Sequence, residues 1–461
     1  MLRRSRGKRK RGKRRRVEDL PVVNPRSAGI DLGARVHYAC APSIEGEELE
    51  VESFRTTTPG LRKLIEWLKA RGIKSVAMES TGVFWVPVFE MLEQAGFSVI
   101  LANARQLQKV PGRKTDVLDC QWIQRLHACG LLRGSFRPND DVCRLRALVR
   151  QMANYVTARG QSVLWMQKAL DQMNVAVHRA VSDVTGMTGM KIIRAIVEGE
   201  RDPMVLAELR DPRCKLSKAE IAECLTGNWR EDHLFNLEEA LRSYDGLCAS
   251  IQRYEERLRE ELERLQREEC DPTAPANPNV KKEKAIQRKG DGPTRDGLYR
   301  FAGVDLTTID GINVSNALIV LSEVGPDLSA FPTERDFVGW MRLCPQKTVT
   351  GGKIIKKKKQ GTGATRIGQA MRSAAVSVRS SKSALGAEYR RIARRKGAGV
   401  AVFATARKIA TIVYRMLRYG QAYVDVGAEA YENQYLERRM KAFLRQAEEF
   451  GCEVIPRLKS G

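Results

Sequence analysis

The amino-acid sequence predicts an α/β domain followed by a helical and coiled-coil middle region and a mostly α-helical C-terminal domain. Over residues 27–103, short β-rich runs alternate with amphipathic segments of helical spacing. From residue 139 onward, apolar residues recur at helical spacing over long stretches. A Pro- and Gly-rich segment, 271–297, separates two helical blocks. These features predict the class α/β plus α.

The first domain begins with strands and continues with alternating helices and strands. Its predicted strands lie at 27–43 (two strands), 49–57, 74–80 and 97–103. Its predicted helices lie at 59–72, 83–96 and 116–132. Three antiparallel strands followed by this alternation describe a ribonuclease-H-like sheet better than a dinucleotide-binding fold, because no glycine-rich phosphate turn follows the first strand.

The rest of the chain is predicted to be helical, with one irregular segment. Residues 139–174 have the spacing of a long helix, interrupted by Gly160. The Glu- and Arg-rich stretch 234–270 is typical of a coiled-coil helix, which would pair subunits or fold back on its own domain. We expect six segments: a basic disordered tail (1–26), the α/β domain (27–136), a helical and coiled-coil region (137–270), a linker (271–300), a C-terminal domain (301–440) and a C-terminal tail (441–461).

The chain is strongly basic, which indicates the class of its partner. Its 461 residues carry a formal net charge of +25. Lys and Arg neutralise phosphates and release their counterions, so this charge favours nucleic acid. Eleven of the fifteen residues from Leu2 to Arg16 are Lys or Arg. We interpret this tail as a phosphate-binding arm, with a solubilising extension as the alternative.

Two further patterns concern the compartment and metal binding. The sequence shows no secretory signal and no run of about eighteen apolar residues, so we expect a soluble, intracellular protein. The ten cysteines never occur as CxxC and lack paired-ligand spacing with the four histidines. We therefore expect reduced thiols rather than a structural zinc site.

Four acidic residues occupy positions where metal-dependent chemistry needs them. Asp31 interrupts the apolar first strand, and Glu79 ends the strand at 74–80. Asp116 and Asp119 are three residues apart at the start of a helix, so they share one face. Clustered carboxylates repel each other unless a divalent cation such as Mg²⁺ binds between them. The alternative for the helix pair is a charge that complements the helix dipole, together with a surface acid.

Two motifs in the C-terminal domain indicate contact with phosphates. LTTIDGINVSNALIVLSEVG (306–325) shows two apolar helical stretches around a Gly-Ile turn, like a helix-hairpin-helix; a hairpin that only packs is the alternative. TGGKIIKKKKQGTGATR (350–366) combines glycines with many lysines, and a merely solvated loop is its alternative. The predicted nucleic-acid-binding residues are Arg113, Lys114, Gly351, Gly352, Lys353, Lys356, Lys357, Lys358, Lys359 and Arg366.

These motifs resemble those of a known family. GIDLG, AMESTGVFW and NARQLQKVPGRKTDVLDCQW resemble the RuvC-like domain of the insertion-sequence-110 (IS110) transposases, named for its Asp-Glu-Asp-Asp set. Segments 306–331 and 337–375 resemble the family's C-terminal transposase domain, so the resemblance covers nearly all of the chain after the basic tail. It implies that 27–136 is a RuvC-like catalytic domain and that the metal ligands, for Mg²⁺ or alternatively Mn²⁺, are Asp31, Glu79, Asp116 and Asp119.

The resemblance also implies an activity and partners. It implies a transposase or recombinase that excises and inserts a mobile element in donor and target DNA. A guide RNA from the element's non-coding end would direct it, within a homo-oligomer (dimer or tetramer). The implied location is the bacterial or archaeal cytoplasm, associated with the nucleoid.

One position departs from the family pattern. In the family, a serine directly before the glycines of the 350–366 motif attacks DNA and forms a covalent link; here that position is Thr350. A threonine hydroxyl can act as a nucleophile, although its methyl group crowds the approach. We expect Thr350 to act, and Thr348 is the alternative hydroxyl. A junction endonuclease that uses water, or a non-catalytic nucleic-acid-binding protein, stays open as a rival function.

Overall fold

The structure is a computed structural model that describes residues 20–45, 48–80, 82–103, 107, 116–267, 270–344, 347–350, 353–357 and 365–454. For 347–350 and 353–357, only the backbone is described. The chain divides into two compact units, residues 1–137 and 138–461, and each is treated by itself. Within the described part of the chain, no helix is both long enough and apolar enough to cross a bilayer.

The first unit is built on a five-stranded sheet. Its strands are β1 (Ser27–Leu32), β2 (Val36–Pro42), β3 (Leu49–Arg55), β4 (Ser75–Glu79) and β5 (Ser98–Ala102), in the order β3-β2-β1-β4-β5. The pairs β1–β2 and β2–β3 are antiparallel, whereas β1–β4 and β4–β5 are parallel. The predicted α/β class is confirmed, and the mixed sheet is consistent with a ribonuclease-H-like domain.

Helices cover the sheet on both faces. They are α1 (Thr58–Ala70), α2 (Trp85–Gln94) and α3 (Asp116–Ala128). The Thr57 side chain accepts a hydrogen bond from Gly60 N and caps α1. Apolar residues of α1 and α2 pack with Ile30 and Met78 on one face of the sheet. On the other face, Ile123 and Leu126 of α3 pack with Ala77.

The second unit begins with a long helical hairpin. Helices α4 (Asp140–Gln172) and α9 (Glu231–Arg264) run antiparallel, because the Tyr155 and Tyr254 rings lie 5.4 Å apart and Arg264 donates to Asp141 at 2.8 Å. Four helices join them: α5 (Val177–Ala180), α6 (Met187–Val197), α7 (Pro203–Glu208) and α8 (Lys218–Leu225). The stretch predicted as a coiled coil therefore folds back on its own domain, and subunit pairing stays a prediction.

The segment predicted as a linker, 271–300, is irregular only over residues 271–279 and is largely helical after that. It contains α10 (Val280–Lys289) and the first part of α11 (Gly292–Ala302). Only Ile286 of α10 is buried, so this helix has no apolar periodicity to predict it. The segment is held by polar contacts instead, since Arg295 is buried and forms ion pairs with Asp305 at 2.7 Å and with Glu283 at 2.9 Å.

The rest of the second unit is mostly helical, as predicted. Its elements are α12 (Val314–Val324), α13 (Glu334–Trp340), β6 (Lys347–Thr350), β7 (Lys353–Lys357), α14 (Arg366–Ser377), α15 (Ala384–Lys396), α16 (Ala398–Tyr419) and α17 (Gly427–Glu449). Glu323 of α12 is buried and pairs with Arg150 of α4 at 2.7 Å. Helix α17 runs through the predicted start of the C-terminal tail at 441.

The predicted helix-hairpin-helix differs from the structure in its first half. Residues Leu306–Thr308 form a short 3-10 helix rather than an α-helix, because the Asp305 side chain accepts hydrogen bonds from the Thr307 backbone and hydroxyl. The second half is α12, and the Asn313 side chain caps it. The unit is therefore a capped turn that leads into one helix.

Candidate functional site

Asp31 and Glu79 lie next to each other on the two central strands. Strands β1 and β4 pair in parallel, with Ile30 opposite Met78. The next residue of β1 is Asp31 and the next residue of β4 is Glu79, so these two residues are neighbours. Paired strands are about 4.8 Å apart, and side chains alternate between faces. Since Ile30 and Met78 face α1 and α2, the two acids project from the opposite face, and both are half-buried.

Helix α3 lies on that opposite face and runs against the direction of β1. Its middle contacts β1, where Gln124 Nε2 donates to Ser27 O at 3.2 Å. Its C-terminal part reaches the start of β4, where His127 Nε2 and Ser75 Oγ share a hydrogen bond of 2.6 Å. The first turn of α3 therefore extends toward the C-terminal ends of both strands.

Gly29 makes this close crossing of α3 over β1 sterically feasible. A Cβ atom at Gly29 would lie 2.2 Å from Gln124 N and 2.6 Å from Cys120 O, both backbone atoms. A glycine inside a strand marks such an approach, so Gly29 is the residue in the sequence that could have indicated this crossing. The absence of a side chain at Gly29 allows the backbone of α3 to contact the sheet directly.

All four predicted acids consequently lie toward the C-terminal ends of the central strands β1 and β4. Asp116 is exposed and Asp119 is half-buried in the first turn of α3. The pKa of the neighbouring Cys120 thiol is lowered, chiefly by its hydrogen bond with Cys40, and the nearby Asp31 carboxylate opposes this shift. The Asp31 carboxylate therefore lies close to Cys120, the residue after Asp119 on α3.

The donor set fits a hard divalent cation, although the side chains do not form a closed cluster. All four groups are carboxylates, the ligands that Mg²⁺ and Mn²⁺ accept in proteins. Among the described residues, however, no three His, Cys, Asp or Glu side chains come together as a metal-binding group. The structure thus has the four acids toward the same ends of β1 and β4, without a complete set of metal ligands among the described residues.

Part of the predicted phosphate-binding set is described by backbone alone. Thr350 ends β6 and pairs with Lys353 of β7, and Lys356 and Lys357 lie further along β7, so antiparallel strands replace part of the predicted loop. Arg366 is exposed at the start of α14, which the Thr365 side chain caps. The predicted residues that lie outside the described part of the chain are Arg113, Lys114, Gly351, Gly352, Lys358 and Lys359.

Sequence reasoning also missed two buried histidines of the first unit. His37 pairs with Leu32 beside Asp31, and His127 lies at the end of α3 opposite to Asp116 and Asp119. Burial lowers the pKa of both His37 on β2 and His127 on α3. Each is 2% exposed. Neutral imidazoles are therefore built into the packing of the sheet and of α3, and no local motif marks them.

Two family models match the chain. Residues 28–175 match the model of the DEDD transposase domain of IS110. Residues 304–390 match the model described as transposase of the IS116/IS110/IS902 family. Together the matches cover about half of the chain, and no curated protein matches it. The first match spans the four acids, and the second spans Thr350 and Arg366.

Proposed function

Because the chain belongs to the IS110 family of transposases, we propose that it is a DNA recombinase that excises a mobile element and inserts it at a new site. Both family matches are to transposase domains, which supports an enzyme that acts on DNA. The proposal includes an element-encoded guide RNA and a homo-oligomer. The net charge of +25 favours binding of both DNA and the guide RNA, which are polyanions.

What supports the proposal most is the arrangement of four carboxylates toward the C-terminal ends of the central strands β1 and β4. Asp31 and Glu79 come from adjacent parallel strands, and Asp116 and Asp119 come from the helix that crosses them. These residues would hold Mg²⁺, with Mn²⁺ as the alternative. When bound, a divalent cation supplies charge stabilisation for the attacking and departing oxygens of a phosphodiester.

We assign the covalent step to Thr350. Its Oγ1 loses its proton and forms a bond to a DNA phosphorus while the bond from that phosphorus to the 3′ oxygen breaks. The 3′ oxygen takes up a proton and leaves as a 3′ hydroxyl, so no proton is gained or lost overall. The lysines of β7 and Arg366 neutralise the neighbouring phosphates. The reaction conserves the energy of the phosphodiester in a protein–DNA bond, so that a second attack can rejoin the strands.

One observation favours a second candidate, a metal-dependent nuclease that uses water. Thr350 carries a methyl group that the family's serine lacks, and β-branching restricts its χ1 rotation. A water molecule held among the four acids would then replace the hydroxyl. This candidate predicts nicked DNA without attached protein.

An Asp116→Asn variant tests the role of the acids. With Mg²⁺, cognate element-end RNA and labelled DNA, we expect its cleavage rate to fall roughly 100-fold or more, because a carboxylate ligand is lost. RNA binding should be unchanged, since Asp116 is an acid and not part of the basic surface. The matched control is Glu66→Gln, which removes an exposed carboxylate on α1, on the other face of the sheet. Wild-type cleavage by Asp116→Asn would exclude the metal role.

A further inference from the structure

The second unit contains a cleft between α15, α16 and α17. It has a volume of about 570 Å³, within the range of small-ligand sites, which is roughly 300–1,000 Å³. Aromatic and cationic side chains dominate its lining: Tyr423, Tyr431, Tyr435, Arg391, Arg438 and Arg439. Neither the four acids nor the 350–366 motif contributes to it.

The aromatic rings of the cleft are held in place by Arg391. Its guanidinium carbon lies 4.2 Å from the ring centroid of Tyr435 and 5.6 Å from that of Tyr431. Arg391 Nη2 also donates to Tyr431 Oη at 2.7 Å. Arg439 lies 5.9 Å from the Tyr435 ring. Tyr431 and Tyr435 are half-exposed, so ordered ring surface remains accessible in the cleft.

A buried hydrogen-bond donor at the cleft, Arg391 Nε, has no acceptor within the described structure. The Tyr423 hydroxyl lies beside the Asp425 carboxylate, and burial is the chief reason that the pKa of Tyr423 is raised, so this hydroxyl stays protonated at neutral pH. Buried donors are rarely left without partners, and an oxygen atom of a ligand would satisfy Arg391 Nε.

The charge of the cleft favours an anionic ligand. Four cationic side chains line it, Arg391, Lys408, Arg438 and Arg439, whereas its acids are Glu388 and Asp425. Arg438, which donates to Gln434 Oε1 at 3.3 Å, and Arg439, which lies beside Tyr435, are exposed at the rim and can turn toward a phosphate. A matching ligand has a flat ring for the tyrosine rings, an acceptor oxygen for the buried donor and a phosphate for the cationic side chains.

We propose that this cleft binds an unpaired nucleotide of single-stranded nucleic acid, with the base on the ring of Tyr435 and the phosphate on Arg438 and Arg439. The inference rests on the proposed action on nucleic acid. Bases inside a duplex are stacked on each other and cannot reach a tyrosine ring, so the cleft selects unpaired strands. Single-stranded RNA and single-stranded DNA both have unpaired bases and phosphates, and the experiment shows which of the two binds.

Photocrosslinking of the full-length protein tests the proposal. Single-stranded oligonucleotides with 4-thiouridine (RNA) or 4-thiothymidine (DNA) are irradiated with the Asp116→Asn protein, which the proposed function expects to bind without cleaving. Trypsin cuts after Arg418 and Arg438, so one peptide, 419–438, contains Tyr423, Tyr431 and Tyr435. We expect this peptide to carry the crosslink with single strands and not with a matched duplex. The RNA and DNA arms show which strand occupies the cleft.

Three variants give the control measurements. Tyr435→Ala should weaken single-strand binding roughly 5- to 100-fold, the range for loss of one stacked base, whereas Tyr435→Phe keeps the ring and should stay within about twofold. Lys441→Ala removes an exposed charge of α17 that does not line the cleft, and it should leave the crosslink unchanged. Circular dichroism confirms that each variant is folded.

The outcomes separate this inference from the proposed function. Crosslinks confined to other peptides, equal crosslinking of the duplex, or unchanged binding by Tyr435→Ala would overturn the cleft assignment. Absence of DNA cleavage by the wild-type protein, with the 419–438 crosslink present, would overturn the recombinase function and leave the cleft assignment in place.

Discussion

Gly29 determines how closely α3 approaches the sheet. Its missing Cβ leaves room for the backbone of Gln124 and Cys120. Asp31 lies two residues further along β1, and Asp119 lies directly before Cys120 on α3. The spacing between the two carboxylate pairs therefore depends on this contact, together with the hydrogen bonds of Gln124 and His127.

We expect a Gly29→Ala variant to displace α3 and to lose DNA cleavage. Overpacking a rigid contact costs about 1–3 kcal/mol, and the clashing atoms here are backbone atoms that cannot rotate away. Hydrogen exchange of peptides from β1 and α3 should be faster in the variant. The control is Gly134→Ala, whose new Cβ would lie 3.8 Å from Ile100 Cγ2, an ordinary contact. Wild-type exchange and cleavage in Gly29→Ala would contradict this account.

Residue types and positions in the sequence singled out the four acids of the candidate site. Asp31, Glu79, Asp116 and Asp119 interrupt apolar strands or open a helix, and the structure has them toward the C-terminal ends of β1 and β4, while their role as metal ligands stays a prediction. The hydrogen bond between Ser75 and His127 could not be predicted. It joins residues 52 positions apart, and neither neighbourhood contains a pattern that marks it.

At the scale of elements, helix α3 is held by a neutral histidine. Burial lowers the pKa of His127 below the ordinary value of 6.5. The unfolded chain therefore takes up a proton first as the pH falls through 6.5, while the folded chain stays neutral. The stability that His127 contributes is present above that pH and is lost as the pH falls toward the lower folded pKa. Buried His37 acts in the same direction.

We accordingly expect the midpoint temperature of thermal unfolding of the first unit to decrease when the pH is lowered from about 7.5 to about 5.5. A His127→Gln variant should be less stable at the higher pH and should show a smaller decrease on acidification, because one titrating group is gone. His178→Gln is the control, since that histidine is exposed on α5 of the second unit. A decrease of the same size in His127→Gln and in the wild type would show that this histidine does not control the pH dependence.

Elements with apolar periodicity were predicted well, and elements held by polar contacts were not. The strands of the sheet and helix α1 follow alternating or helical patterns that local sequence displays. Helix α10 buries only Ile286 and depends on Arg295, which pairs with Asp305 and Glu283. Such partners are specified by the folded chain rather than by the spacing of apolar residues, so this segment was predicted as a linker.

At the scale of the whole molecule, each unit supplies one part of the proposed chemistry. The first unit contains the four acids, and the second contains Thr350 and the cationic residues around it. The first family match covers the four acids and also the start of the second unit. The second match covers Thr350 and Arg366. A recombinase needs both parts, whereas a nuclease that uses water needs only the acids. The covalent intermediate therefore distinguishes the two functions.

The most direct measurement is a search for protein covalently joined to DNA. Purified protein, Mg²⁺, cognate element-end RNA and end-labelled DNA are combined and then separated on a denaturing gel. We predict an adduct that Thr350→Ala abolishes and that Thr350→Ser strengthens, because serine lacks the crowding methyl group. Thr348→Ala, which removes a hydroxyl from the same strand, should keep the adduct. DNA cleavage without an adduct in any of these proteins would contradict the recombinase and identify a nuclease that uses water.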